Sequence, residues 1–184
     1  MSRRTRIDPP ILAAVAIAAA VTCAGPASAQ LAGQEIHIGV GGALTTGSAT
    51  FGVEMRQAVD LAVAERNAAG GILGARVVAV AADDQADTQK GAAVAKGFCD
   101  DPADLAVVGH VNSGVTIAAE PVYAACGLAM LTPMSSSPGV TEQGLANVFR
   151  LTNRDDRKGP GLAHWLYAKL DKRRAVVLDD GTTY

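Results

Sequence analysis

Aromatic and basic residues are both scarce in this sequence. Aromatic side chains make up 4% of the 184 residues, and 16 Lys and Arg stand against 18 Asp and Glu without forming a basic stripe. Proteins that bind nucleic acid normally contact its phosphates through clustered Lys and Arg. The composition therefore argues against a nucleic-acid partner. Apolar residues, at 49%, are as frequent as in ordinary globular domains, so a well-packed core is expected.

A hydrophobic run long enough to cross a membrane is also missing. The longest run, Ile11–Val21, has eleven residues, whereas a spanning helix needs about 20. Arg3, Arg4 and Arg6 precede this run and Ala27-Ser28-Ala29 follows it, which is the three-part pattern of a secretory signal peptide. The sequence therefore predicts that residues 1–29 are a signal peptide, cleaved after Ala29, and that the mature protein is periplasmic.

The export route stays open at this level. Cys23 follows Ala20-Val21-Thr22, which is a poor match to the residues that precede a lipidated cysteine. The start Ser2-Arg3-Arg4 is only faintly similar to a twin-arginine signal. Removal of residues 1–29 takes away three Arg and one Asp, which changes the formal net charge from −2 to −4. We expect a mildly acidic, soluble mature protein.

Short apolar runs alternate with helical segments along the mature chain. Strands are predicted at Ile36–Val40, Val77–Ala82, Leu105–Val108, Leu128–Leu131 and Ala175–Leu178, with a strand-like segment at 148–153, and helices at about 52–69, 88–98, 113–125 and 157–170. This alternation is typical of βαβ units and predicts an α/β fold with a parallel sheet and right-handed crossovers. In the first helix we expect Val53 and Leu61 to face the sheet, and Glu54 and Asp60 to face water.

An enzyme is the main alternative class, and the residues argue against it. A serine hydrolase needs G-x-S-x-G around its nucleophile, whereas Ser113 lies in V-N-S-G. A dinucleotide site needs G-x-G-x-x-G after the first strand, whereas residues 39–44 end in leucine. The three His are scattered over different elements, and the Asp residues of DDQAD (83–87) lack the spacing of a calcium loop. We therefore expect no catalysis, no metal and no cofactor.

A series of eight motifs runs through the mature chain. They are IGVGGALTTGSATFG (38–52), AAGGILG (68–74), DDQAD (83–87), VVGHVNSG (107–114), LTPMSSSPGVTEQG (131–144), VFRLTNRDD (148–156), GP (159–160) and VVLDDGTTY (176–184). In this order they resemble the leucine/isoleucine/valine-binding family of periplasmic solute-binding proteins. The resemblance implies a type I periplasmic-binding-protein fold, in which two Rossmann-like lobes enclose the ligand.

The two lobes divide the chain unequally. Residues 30–147 correspond to most of the first lobe and residues 148–184 to the beginning of the second, so we interpret the sequence as incomplete. Ligands of open parallel sheets bind outside the carboxyl ends of the strands, where both serine-rich loops are expected.

The resemblance implies five ligand-binding residues. By matching motif, Ser113 and Ser136 correspond to hydroxyl contacts with the carboxylate and ammonium groups of an amino acid, and Ser135 to a backbone contact. Phe51 corresponds to an aromatic residue that touches the ligand side chain, and Tyr184 to a tyrosine that closes over the ligand. Other roles stay open at this point: Ser113 can be a helix N-cap, 135–137 a flexible polar loop, and the two aromatic residues ordinary packing.

The implied function is transport. A protein of this family captures an amino acid, branched-chain or similar, and delivers it to the membrane permease of an ABC importer; we expect it to be a monomer. The family's acidic partner for the ligand ammonium would lie beyond residue 184, so this sequence does not identify the amino acid. The alternative with the same fold is the ligand-sensing ectodomain of a receptor.

Cysteine is rare, and only Cys99 and Cys126 remain after cleavage. Better-known family members have a disulfide between the DDxxD and GHxxS loops, but the matching positions here are Ala86 and Asn112. The two remaining cysteines are an even pair in an oxidising compartment, and the alternative is two buried thiols. We expect a disulfide, because the preceding helices come from crossovers that run in the same direction and so lie on the same face of the sheet.

Overall fold

The computed structural model describes residues 31–178 and 181, which alternate between strands and helices. The elements are β1 (Glu35–Gly42), α1 (Ala49–Ala68), β2 (Arg76–Asp83), α2 (Thr88–Asp100), β3 (Asp104–Gly109), α3 (Ser113–Cys126), β4 (Ala129–Thr132), a 3-10 helix (Pro138–Thr141), β5 (Val148–Arg150) and α4 (Asp155–Leu170). The predicted α/β class is confirmed.

The strands form one parallel sheet in the order β2-β1-β3-β4-β5. The chain moves outward from β1 to β2 and then crosses back to β3 on the other side of β1. The loops after β1 and β3 therefore leave the sheet in opposite directions and open a crevice at its carboxyl edge. This crevice positions the candidate site.

Helices α2 and α3 cover one face of the sheet. Their core contains Phe98, Val107, Tyr123 and Met130, all almost completely buried. Glycine makes this packing close: a Cβ atom on Gly91 of α2 would lie 2.3 Å from Val115 of α3, so a larger residue there would force the two helices apart.

Helix α1 covers the opposite face of the sheet. The side of α1 that packs against the sheet differs from the predicted side. Met55 is buried and Val59 and Val63 pack against the sheet, whereas Leu61, which was expected to face the sheet, is 62% exposed and Val53 is also exposed. That prediction was wrong because α1 has two apolar stripes. The tertiary contact at Gly52 selects one of them, since a Cβ atom there would lie 1.9 Å from the carbonyl oxygen of Ala43.

The predicted strand Ala175–Leu178 is not formed. Residues 171–178 have no regular secondary structure, and Val176, Val177 and Leu178 are 87%, 89% and 92% exposed. A strand needs a neighbour for its backbone hydrogen bonds, and within the described part of the chain none lies beside this segment. The preceding strand-like segment pairs with β4 only over Val148–Arg150.

Cys99 and Cys126 lie at the carboxyl-terminal ends of α2 and α3, on the same face of the sheet. In the structure they form a disulfide, with Cα atoms 5.8 Å apart. The bond ties together the two helix ends that are farthest from the crevice.

We expect thiol titration of the denatured, non-reduced mature protein to find almost no free thiol. A bridge between residues 27 positions apart should stabilise the fold by roughly 3 kcal/mol in the chain-entropy account. The Cys126→Ser variant, which leaves Cys99 unpaired, calibrates the signal of one thiol per chain. Two thiols per chain in the unmodified protein would contradict the bridge.

Candidate functional site

A cavity of about 690 Å³ lies at the carboxyl edge of the sheet, between the loops that follow β1, β2, β3 and β4. Its volume is within the range of small-molecule pockets. The lining residues are Ser48, Phe51, Ala86, Thr88, Val111, Asn112, Ser113, Gly114, Val115, Pro133, Met134, Ser136 and Thr152. Three of the five predicted ligand-binding residues, Phe51, Ser113 and Ser136, thus lie on one cavity.

Ser113 is the first residue of α3, and its side chain is almost completely buried at the cavity wall. The N-cap position belongs to Asn112, which makes no side-chain capping hydrogen bond. The hypothesis that Ser113 is the N-cap is therefore wrong. Its Oγ atom instead accepts a hydrogen bond from the backbone N–H of Ser137, at 3.2 Å, and so connects α3 to the loop after β4. A helix start with a hydroxyl is a suitable environment for a carboxylate.

Ser135 has a different environment from its neighbours. Its Oγ atom lies 2.6 Å from the hydroxyl of Thr116 and 3.0 Å from the carbonyl oxygen of His110, and the residue is buried beneath the cavity. The hydroxyl therefore braces the loop and does not line the cavity. The backbone N–H of Ser135 donates to the hydroxyl of Thr132, at 3.1 Å, so the backbone contact with a ligand that the resemblance implies would use the carbonyl oxygen.

Ser136 contacts an acidic residue that the sequence analysis did not assign to the site. Its hydroxyl donates a hydrogen bond to the Oδ2 atom of Asp155, at 2.8 Å, and its carbonyl oxygen accepts one from the backbone N–H of Asp155, at 3.0 Å. The other carboxylate oxygen of Asp155 lies 3.3 Å from the Nζ atom of Lys158. This reciprocal contact places a carboxylate beside the cavity. An acid in the first turn of a helix, within the motif VFRLTNRDD (148–156), was the available signal.

The two predicted aromatic residues differ in what can be described. Phe51 lies in the first turn of α1 at the rim of the cavity, with 54% of its surface exposed. An exposed aromatic ring at a rim is available to a ligand side chain. Tyr184 lies outside the described residues, and so does the cleavage site after Ala29.

The first aspartate of DDQAD holds the loop after β1. Asp83 accepts hydrogen bonds from the hydroxyl of Thr45 and from the backbone N–H groups of Leu44 and Gln85. Burial raises the pKa of this carboxyl, but these hydrogen bonds outweigh burial and the net pKa is lowered. The same loop leads to Ser48 and Phe51, so Asp83 supports one wall of the cavity.

Asp87, the last residue of the same motif, caps α2. Its side chain accepts hydrogen bonds from the backbone N–H groups of Gln89 and Lys90. Among residues 31–178 and 181, no three His, Cys, Asp or Glu side chains form a group that could hold a metal ion. Nor is any helix in that part of the chain both long and apolar enough to cross a membrane.

A parallel α/β sheet with a cavity outside its strand ends, lined by both apolar and polar side chains, defines a small-molecule-binding domain. The family model for periplasmic binding proteins matches residues 35–184. The chain belongs to this family, so the family assignment and the type I fold expected from the motifs are confirmed.

Named relatives agree with this assignment. Leu/Ile/Val-binding protein homolog 1 of Brucella abortus is 34% identical over 174 residues, 95% of this chain and 45% of that protein. Homolog 2 of the same organism is 38% identical over 150 residues, 82% of this chain and 40% of that protein.

Two solved structures contain amino acids. The ABC transporter substrate-binding protein of Desulfitobacterium hafniense in complex with Leu has 37% identity and a TM-score of 0.63 over 72% of this chain and 38% of that one. The branched-chain amino acid transporter substrate binding protein LivJ of Streptococcus pneumoniae in complex with isoleucine has 30% identity and a TM-score of 0.71 over 75% and 39%. The chain spans less than half the length of each of these four relatives.

Proposed function

We propose that this chain forms the first lobe, and the beginning of the second, of an extracytoplasmic substrate-binding protein. The complete protein captures an amino acid, branched-chain or similar, between its lobes and delivers it to the membrane permease of an ABC importer, without catalysis. It is a periplasmic monomer whose signal peptide is cleaved after Ala29. The observation that carries this proposal is the cavity at the carboxyl edge of the sheet, where Ser113 and Ser136 lie on facing loops.

We propose that the first lobe comprises residues 30–147 and that the passage to the second lobe begins at residue 148. Strand β5 begins at Val148 and pairs with β4, and α4 then leaves the sheet without a buried residue among Asp155–Leu170. This arrangement supports a crossing from one lobe to the other through β5 and the segment up to α4. Closure of two such lobes about a hinge would enclose the ligand.

The chemistry of the cavity supports a proposed position for each end of an amino acid. The ligand carboxylate is placed at Ser113, where the start of α3 favours negative charge. The ligand ammonium is placed at Ser136: the hydroxyl proton is directed to Asp155, so the oxygen can accept a hydrogen bond and the nearby carboxylate adds a favourable charge. The ligand side chain then points to Phe51, and Tyr184 closes over it from the second lobe.

Calorimetric titration of the mature protein, at the full length that its gene encodes, tests this function. We expect saturable binding of at least one of leucine, isoleucine and valine. We expect 4-methylpentanoate, which is leucine without its ammonium group, to bind far more weakly, because it cannot use Ser136 and Asp155. Failure of every amino acid in a complete panel to bind would exclude the proposed function.

A further inference from the structure

A buried chain of three polar side chains lies directly behind the cavity. We propose that its central member, His110, is a positioning residue that fixes the loop carrying Ser113 against the loop carrying Ser135 and Ser136. The inference rests on the proposed function and extends it to groups that do not line the cavity.

The imidazole ring of His110 is held from two sides. Its Nδ1 atom lies 2.6 Å from the Oδ2 atom of Asp84, in the loop after β2, and its Nε2 atom lies 3.0 Å from the hydroxyl of Tyr123, in α3. All three side chains are completely buried. Two hydrogen bonds to separate elements leave the ring a single orientation, because a buried polar group that loses its partner is costly.

The backbone around His110 leaves no alternative position either. A Cβ atom on Gly41 of β1 would lie 2.8 Å from the Cε1 atom of the ring, and one on Gly109 would lie 2.1 Å from the carbonyl oxygen of Gly41. Two glycines therefore allow the end of β3 to press against β1. The ring occupies the space that the missing side chain of Gly41 leaves.

The main chain of His110 holds the loop that carries Ser135 and Ser136. Its carbonyl oxygen accepts hydrogen bonds from the hydroxyls of Thr132, at 2.8 Å, and Ser135, at 3.0 Å. The Thr132 hydroxyl also accepts one from the backbone N–H of Ser135, at 3.1 Å. Ser113 follows His110 by three residues, and Ser136 follows Ser135 directly. This carbonyl group therefore helps to set the spacing of the two ligand hydroxyls, beside the direct hydrogen bond from the Ser137 N–H to Ser113.

The test uses the mature protein at the full length that its gene encodes, with the Asp84→Asn and Tyr123→Phe variants. We expect Asp84→Asn to weaken amino-acid binding about 10-fold or more, because small displacements of a preorganised site are costly. Tyr123→Phe removes one hydrogen bond and keeps the ring, so a loss of about 3-fold is expected. If Asp84→Asn does not fold, the affinity of Tyr123→Phe alone tests the positioning role of His110.

A second histidine–aspartate pair supplies the control. His37 and Asp101 are 2.8 Å apart near the amino-terminal ends of the strands, away from the cavity. Asp101→Asn should leave the affinity unchanged. Affinities of the Asp84 and Tyr123 variants within about 2-fold of the unmodified protein, measured well below their melting temperatures, would show that the buried chain is only structural.

Hydrogen–deuterium exchange of the ligand-free protein separates this inference from the proposed function. We expect faster exchange at residues 110–116 and 132–137 in Asp84→Asn than in Asp101→Asn. If the unmodified protein binds no amino acid, the proposed function fails, and the exchange pattern still decides whether His110 orders both loops. Unchanged exchange at both loops would overturn the positioning role.

Discussion

Replacing Ser113 by alanine is expected to weaken amino-acid binding by about 10- to 100-fold at 25 °C, because a hydrogen bond to a charged group contributes roughly 1.5 to 3 kcal/mol. The hydroxyl lies at the start of α3 on the cavity wall, where we place the ligand carboxylate. Calorimetric titration of the full-length mature protein measures the change.

The same substitution has a structural component that must be separated from the binding effect. The Ser113 hydroxyl also accepts a hydrogen bond from the backbone N–H of Ser137. Removal of the hydroxyl should therefore cost about 1 kcal/mol of folding free energy. A purely structural serine would show only this loss, seen as a lower melting temperature with nearly unchanged affinity. Measuring both quantities on one sample distinguishes the two roles.

Two neighbouring serines provide the comparison. Ser136→Ala should weaken binding about as much as Ser113→Ala, because its hydroxyl joins the cavity to Asp155. Ser137→Ala should be close to neutral, since Ser137 precedes the 3-10 helix without a side-chain capping bond. Unchanged affinity in both the Ser113 and Ser136 variants would remove the site assignment, whatever their stability.

Glu120 should make the stability of this protein depend on pH between about 4.5 and 7. Its carboxyl is completely buried in α3. One oxygen accepts a hydrogen bond from the side chain of Gln143, and the other has no hydrogen-bond partner among the residues that the structure describes. Burial raises the pKa of Glu120 to about 7, although Gln143 and the charge of Arg150 act in the opposite direction. The folded protein therefore binds this proton more tightly than the unfolded chain does.

The sign of the effect follows from that difference. Protonated Glu120 contributes to the free energy of unfolding. This contribution is fully present below pH 4.5, the ordinary pKa of a glutamate, and is lost as the pH rises through about 7. The raised pKa corresponds to about 3 kcal/mol of unfolding free energy between these limits. Glu120→Gln, which is neutral at every pH, should therefore gain stability relative to the unmodified protein as the pH increases.

Urea denaturation at pH 4.5, 6 and 8 tests this expectation through the difference between the two proteins, which cancels the other titrating groups. Glu142→Gln is the matched control, because Glu142 is exposed and paired with Arg154 on the surface. We expect no trend with pH in that variant beyond a few tenths of a kcal/mol. A difference between Glu120→Gln and the unmodified protein that stays constant over this range would refute the raised pKa.

Local patterns in the sequence determined most of the fold. Alternation of short apolar runs with helical segments predicted the first four strands and the parallel sheet, because strand and helix periods are properties of neighbouring residues. The motifs predicted the family, and three of the five predicted site residues line the cavity because a parallel sheet brings its loops together at one edge. The sequence could not tell which helix position Ser113 occupies, since a serine at the N-cap and a serine in the first turn give the same local sequence pattern.

Only the tertiary structure decided the features that depend on distant partners. It selected the Met55 side of α1 over the Leu61 side, and it left Ala175–Leu178 unpaired because no described strand lies beside that segment. It also brought Asp155 to Ser136, and Asp84 and Tyr123 to His110, across 19, 26 and 13 positions of sequence. Hydrogen bonds of this kind follow from where the backbone places two groups in space, and no periodicity along the chain records that placement.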